Sequence, residues 1–258
     1  LLQSQPRQGV TTEILEVNAE EKWVRVQPGV IRNELNTYLK PYGLFFGPET
    51  STQNRAMMGG MVGNNSCGSN SIAYGTTRDH ILETKGFLAD GTRYHFTALS
   101  KDAFVEKAQA EDDSLETKLY RHINDFLSQD ENRNRISEHF PNPTIHRRNT
   151  GYAIDALMQM NPFSDGGDDF NFCKLLAGSE GTLSFLTEIK LNLLPLPATE
   201  SGLVCIHFND VDEALRANLI ALKYNPLASE LIDHYILECT KKNIGQQKNR
   251  FFVDGEPG

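Results

Sequence analysis

Cysteine is scarce, and the four that occur, Cys67, Cys173, Cys205 and Cys239, form no C-x-x-C pair. That scatter gives no zinc or iron–sulfur spacing and suits free thiols in a reducing compartment. The seven histidines are also dispersed, without an H-E-x-x-H or similar ligand pair, so no metal site is legible. No basic run exceeds Arg147-Arg148 and the net charge is -9, which excludes DNA and RNA as main partners. No apolar run approaches the ~18 residues of a membrane-spanning helix. Leu1 to Arg7 have neither a hydrophobic signal core nor a starting Met. The expectation is a soluble chain internal to a longer protein, cytoplasmic, with attachment to the periphery of the inner membrane as an alternative. What is present, 39% hydrophobic and 23% charged residues in a length of 258, is enough to bury a core in one large or two small domains.

Trp23 to Gln27 alternates as a strand, and Pro28-Gly29 then leads into Val30, Ile31, Leu35, Tyr38 and Leu39 at helical spacing, ended by Pro41 and Gly43. Phe45 to Tyr74 is rich in Gly, Asn, Ser and Met without helical or strand period, too long for an idle connection. Leu82–Leu88 and Thr92–Phe96 flank Ala89-Asp90-Gly91, which predicts a β-hairpin because Asp-Gly tolerates positive φ. Ser114 caps a helix bearing Leu115, Leu119, Ile123 and Phe126, and Asp130 to Arg135 follows as exposed surface. Leu175 to Leu194 is apolar and β-branched around a Gly-Ser-Glu-Gly turn, and Pro195-Leu196-Pro197 marks a domain boundary. Beyond it, Leu203 to Phe208 reads as a strand and Asp210 with Glu213 as the capping box of a helix through Leu222.

Two glycine-bearing stretches carry the chemistry. In Met58 to Asn70, Gly59, Gly60, Gly63 and Gly68 lie among small polar residues, so backbone N–H groups can converge on an anion with no Cβ in the way. The pattern is neither a P-loop nor G-x-G-x-x-G, and on composition alone an ordinary turn-rich loop reads equally well. In Ala177 to Glu188, Gly178 and Gly181 permit close approach and Thr182 can hydrogen-bond a ligand; taken alone, this reads better as a hairpin turn.

Their order along the chain adds more. Val26-Gln27-Pro28-Gly29, Tyr42-Gly43-Leu44, Gly59 to Gly68, Tyr74-Gly75-Thr76-Thr77-Arg78-Asp79, Ala89-Asp90-Gly91, Asn149-Thr150-Gly151-Tyr152 and Gly178 to Leu183 succeed one another. This series, from about Ile14 to Pro197, resembles the FAD-linked oxidases that oxidise small 2-hydroxy acids, within the vanillyl-alcohol oxidase and p-cresol methylhydroxylase superfamily. The likeness is greatest to large bacterial members with an additional iron–sulfur region. It implies an α+β fold, an antiparallel sheet flanked by helices. Residues 1–197 would form the FAD-binding domain of p-cresol-methylhydroxylase type without its N-terminal pyrophosphate loop, and 198–258 the start of a C-terminal α+β cap domain.

The resemblance nominates FAD contacts at Pro48, Thr50, Ser51, Gly59, Gly60, Asn64, Asn65, Cys67 and Gly68, and at Glu180, Gly181, Thr182 and Leu186. Cys67 reads as a small space-filler rather than a covalent flavin link. Arg78 and Arg147 are weaker candidates for a substrate carboxylate or a phosphate, since a solvated charge is the commoner role of a single Arg. His80, His95 and His146 read as structural or exposed. The family's upstream glycine-rich loop and its downstream His-rich base and metal motif have no counterpart here, so the expectation is a catalytic base elsewhere and weak or no FAD retention by this chain alone. The implied reaction is hydride transfer from the α-carbon of a 2-hydroxy acid to flavin N5, with the electron acceptor open. A nucleotide-binding module without redox turnover, or a structural fragment that binds nothing, are the rivals. The flavin reading requires Gly60 and Gly181 on one side of one sheet.

Overall fold

A computed structural model describes residues 11–142, 144–145, 147–148, 151–255 and 257. Leu1 to Arg7, His146 and the Asn149-Thr150 half of one motif lie outside the described residues. Along the chain run β1 (Ile14–Asn18), β2 (Trp23–Val26), α1 (Arg32–Leu39), β3 (Leu44–Phe45), α2 (Met58–Gly63), α3 (Ser71–Tyr74), α4 (Thr77–His80), β4 (Ile81–Phe87) and β5 (Arg93–Phe96). Then follow α5 (Lys101–Gln109), α6 (Leu115–Leu127), α7 (Asp130–His139), α8 (Ile154–Met158), α9 (Cys173–Leu176), β6 (Phe185–Asn192) and β7 (Leu194–Pro195). The chain divides into two units, one reaching to Gly68 and resuming over Tyr74–Leu196, the other made of Ser69–Ala73 and the residues from Pro197 onward.

The first unit is α+β, built on a five-stranded antiparallel sheet of order β1-β2-β6-β4-β5. Alternation decides its two faces. Val24 and Val26 of β2, Ile189 and Leu191 of β6, Thr84 of β4 and Tyr94 and Phe96 of β5 are buried. Helices close over that face with an aromatic cluster in which Phe96 lies 5.1 Å from Phe172, Tyr120 4.7 Å from Phe172 and Phe104 4.4 Å from Phe170, measured between ring centroids. The opposite face is charged. Glu83 takes Arg25 (3.1 Å), His95 (3.0 Å) and Lys190 (2.8 Å), Lys85 pairs with Glu188 (2.8 Å), and the Lys190 ammonium sits 4.2 Å over the Trp23 ring. Each fully buried large apolar side chain contributes roughly 1.5–3 kcal/mol and an exposed ion pair roughly 0–1 kcal/mol, so the aromatic side holds the sheet together.

Several expectations from sequence hold, and some do not. The β4–β5 hairpin forms, with Gly91 at φ 82° and the Asp90 carboxylate accepting the Thr92 N–H. Ser114 caps α6 by accepting the Thr117 N–H at 3.2 Å. The stretch read as aperiodic contains helix α2 despite its glycines, because Met58, Met61 and Val62 fall at helical spacing and are all buried. Asp130 to Arg135 is exposed but helical, part of α7. The Gly178–Gly181 turn is not a hairpin; it joins α9 to β6.

In the second unit, Leu203 to Phe208 takes no strand pairing, and Leu203 is 84% and Val204 80% exposed. Alternation and β-branching alone read as a strand, but a strand needs a partner. Helix α10 (Val211–Ala221) forms as expected, with Asp210 accepting the Glu213 N–H at 2.9 Å. Helices α11 (His234–Lys241) and α12 (Ile244–Gln247) follow. Among the described residues no helix is long and apolar enough to cross a membrane.

Candidate functional site

Helix α2 is short, and each of its glycines has a different reason to be there. Gly59 donates its N–H to the Pro28 carbonyl (2.8 Å), and a Cβ on it would stand 2.7 Å from Pro28 Cβ, so packing demands glycine. Gly60 has no such neighbour. Its residue is exposed, its φ is not positive, and a Cβ there would meet nothing within 4 Å. A helical glycine costs roughly 0.5–1 kcal/mol relative to alanine, and among the described residues none occupies the space a side chain would take. Gly60, Gly63 and Asn64 are spaced i, i+3, i+4 and therefore share one helix face.

The second stretch packs directly on this helix. Gly178 (φ 91°), Glu180 (φ 52°) and Gly181 (φ 75°) form a left-handed turn. Its Gly178 and Glu180 N–H groups donate to the Val62 and Gly63 carbonyls at 3.0 and 2.9 Å, satisfying the open C-terminal end of α2. A Cβ on Gly63 would lie 3.7 Å from the Gly181 nitrogen. Gly63 thus faces Gly181, and Gly60 lies one turn earlier on the same helix face. Asn64, Glu180, Gly181 and Thr182 are exposed along the same edge, where the Tyr152 hydroxyl lies 2.7 Å from Thr182 Oγ1 and Thr182 Oγ1 donates to the Ser179 carbonyl.

A second junction brings Glu49 and Gly68 together: a Cβ on Gly68 would stand 2.4 Å from Glu49 Cγ and 3.0 Å from the Glu49 carbonyl oxygen. Arg32, buried beneath it, donates from Nε to the Pro48 carbonyl (3.2 Å) and from Nη1 to Gln53 Oε1 (2.6 Å). Burial pushes its guanidinium pKa down, partly countered by Glu49. Thr50 lies 3.1 Å from the Thr52 hydroxyl in the following turn, and Ser51 is exposed there. Cys67 is half-buried and is not part of a disulfide.

Other nominated residues occupy framework positions. Leu186 sits on β6 opposite Gly86 and packs partly buried against the core. Asn65 is fully buried at φ 48°, and its Oδ1 accepts the Arg78 N–H at 2.7 Å. Arg78 is also buried, donating from Nε to the Lys174 carbonyl (2.9 Å) and from Nη2 to the Ala177 carbonyl (2.6 Å). Its pKa is lowered, first by burial and then by Arg148. Arg147 is exposed, whereas its neighbour Arg148 pairs with Asp155. Nothing local in the sequence says which of two adjacent arginine side chains turns inward; the structure gives that place to Arg148. Sequence reasoning also passed over Arg32 and Lys174, whose Nζ donates to the Arg78 carbonyl at 2.8 Å. His80 is buried between the Tyr74 and Asn192 carbonyls and His95 pairs with Glu83, both framework roles. A cavity of about 150 Å³ beside Arg78 is lined by His139, Arg148 and Asp155, with Asp155 Oδ1 buried and without a hydrogen-bond partner among the described residues. No group of three or more His, Cys, Asp or Glu that could hold a metal occurs among the described residues.

The arrangement offers bare backbone at the Gly60–Gly181 edge and buried positive charge behind it, chemistry suited to an anionic or phosphorylated ligand. Residues 8–97 match the family of the FAD binding domain. A D-2-hydroxyglutarate dehydrogenase of Haemophilus influenzae is 36% identical across 90% of this chain and 22% of its own length. One of Pseudomonas putida is 38% identical across 90% of the chain and 22% of its own. Glycolate oxidase subunit GlcD of Bacillus subtilis is 25% identical across 86% of the chain and 34% of its own. The chain spans about 22% of the length of the two dehydrogenases. Residues 8–97 therefore resemble the FAD-binding domain family, and the chain that carries them is similar, along nine-tenths of its length, to a segment of D-2-hydroxyglutarate dehydrogenases.

Proposed function

We propose that this chain supplies part of the FAD site of a dehydrogenase for small 2-hydroxy acids, with D-2-hydroxyglutarate as the first substrate to test. The observation that carries the reading is Gly60: an exposed helical glycine with open space around it, next to the left-handed Gly178–Gly181 turn. Glycine at that position has a reason if a ligand's backbone-to-backbone approach fills the space a methyl group would take. The names of the dehydrogenase relatives supply the substrate class.

On this reading Gly59, Gly60, Asn64, Gly181 and Thr182 line the cofactor along the α2 edge, while Pro48, Thr50, Ser51, Cys67 and Gly68 form a second wall. Asn65 and Leu186 support those walls from behind. FAD held there would supply the hydride-accepting chemistry of such an oxidation. The chain's own part is to bind and orient the cofactor and to exclude water from its face. Arg147, exposed, is the better of the two nominated arginines for a substrate carboxylate, because the Arg78 fork is already engaged. Residues 1–197 are read as the FAD-binding domain and 198–258 as the opening of a cap domain. Cysteines outside any disulfide fit a cytoplasmic protein, and an iron–sulfur acceptor would need ligands other than these scattered cysteines.

The test is flavin itself. The intact protein is expected to purify with, or be titrated to, stoichiometric FAD, and its visible bands to bleach on anaerobic addition of D-2-hydroxyglutarate. Flavin binding without bleaching by any 2-hydroxy acid would leave a cofactor-binding module, and no flavin binding at all would end the reading. Gly60→Ala should weaken FAD binding at least tenfold while leaving the apoprotein as stable as before.

A further inference from the structure

We propose that Asn65, Arg78 and Lys174 are positioning residues that staple the two glycine segments to each other and do not touch the ligand. The connections are direct. Asn65 follows α2, and its left-handed backbone (φ 48°) turns its side chain inward, where it is fully buried. Its N–H donates to the Val62 carbonyl at 3.0 Å, the same carbonyl that accepts the Gly178 N–H. Its Oδ1 accepts the Arg78 N–H (2.7 Å), and its Nδ2 donates to the Arg148 carbonyl (3.4 Å). Arg78 then reaches the other segment, gripping the Lys174 and Ala177 carbonyls at the two ends of the lead into Gly178. Lys174 returns the bond through Nζ to the Arg78 carbonyl. A Cβ on Gly178 would lie 3.0 Å from Arg78 Nη2 and 3.7 Å from Asn65 Cβ, so the turn rests on both side chains.

This closed circuit gives a use to the buried Arg78 guanidinium and the partly buried Lys174 ammonium. A guanidinium and an ammonium are costly to bury, and here each spends its donors on backbone carbonyls of the other's segment. Their consequence is geometric: the amides of Gly178 to Gly181 are held against α2 before any ligand arrives. A site whose competent form is fully populated binds with its intrinsic affinity; one that must first be assembled binds more weakly by the fraction assembled.

Asn65→Gly in the intact protein tests this, because glycine keeps the left-handed backbone and removes both side-chain bonds. Hydrogen exchange at the Gly178 and Glu180 amides is expected to accelerate, and FAD to bind roughly tenfold more weakly, as expected for two lost neutral hydrogen bonds. Asn65→Asp keeps the acceptor for Arg78 and should restore most of both. Should the glycine variant not fold, Arg78→Lys, which keeps the charge but loses the two-carbonyl fork, takes its place with the same expectations. Unchanged exchange at residues 178–180, or unchanged FAD affinity despite faster exchange, would overturn the proposal. Its last step rests on the flavin reading, yet the two fail separately: wild type that binds no FAD sinks that reading, while the exchange measurement still decides the staple.

Discussion

Glycine means different things at neighbouring positions, and the difference can be measured. At Gly86 a Cβ would sit 2.1 Å from the Phe185 carbonyl oxygen, inside the β4–β6 pairing. Alanine there must push two strands apart, at roughly 1–3 kcal/mol as for overpacked cores. At Gly60 the same methyl enters open space on a helix, where alanine is favoured by roughly 0.5–1 kcal/mol. Thermal melts of the apoprotein should therefore show Gly86→Ala several degrees lower and Gly60→Ala equal or slightly higher. A fall in Tm for Gly60→Ala would mean the fold itself needs that glycine, and the argument for an outside ligand would lose its footing. Arg147 and Arg148 make a related point: both were visible as a basic pair, but only tertiary packing assigns the inward place to Arg148.

Among the elements, the charged face of the sheet has a defined acid response. Burial alone would raise the Glu83 carboxyl, but hydrogen bonds from Lys190, His95 and Arg25 outweigh it and hold the pKa at about 2, against an ordinary 4.5. A carboxylate depressed in the folded state contributes stability above its unfolded pKa and loses it as pH falls through the folded one. Wild type should lose that contribution between pH 4.5 and about 2, and Glu83→Gln should be less stable at neutral pH with a flatter acid limb over the same window. Denaturant melts across that range check it, and parallel curves for the two proteins would refute it. Elements of this sheet were readable because alternation, Asp-Gly and Ser114 are local signals. Helix α2 was not, since three of its six residues are poor helix formers and only burial of Met58, Met61 and Val62 holds them. The union of the two glycine segments was readable only through the order of motifs, because no local signal reports that Gly178 bonds to Val62.

For the molecule as a whole, the distribution of burial is uneven. Every buried apolar side chain among the described residues lies between Val24 and Leu193. Residues 11–196 are therefore expected to unfold cooperatively by themselves, with a single calorimetric transition, whereas the residues from Pro197 on should exchange their amides rapidly. A broad, non-cooperative melt of residues 11–196 would contradict this. Finally, a cradle that presents main chain in place of side chains hides from the usual survey of function. Trimming residues to alanine removes little from an edge made of Gly60, Gly63 and Gly181; substitutions that add bulk would reveal its role, so a scan with valine or leucine along residues 58–68 and 178–182 would test the proposed cofactor edge where truncation passes over it.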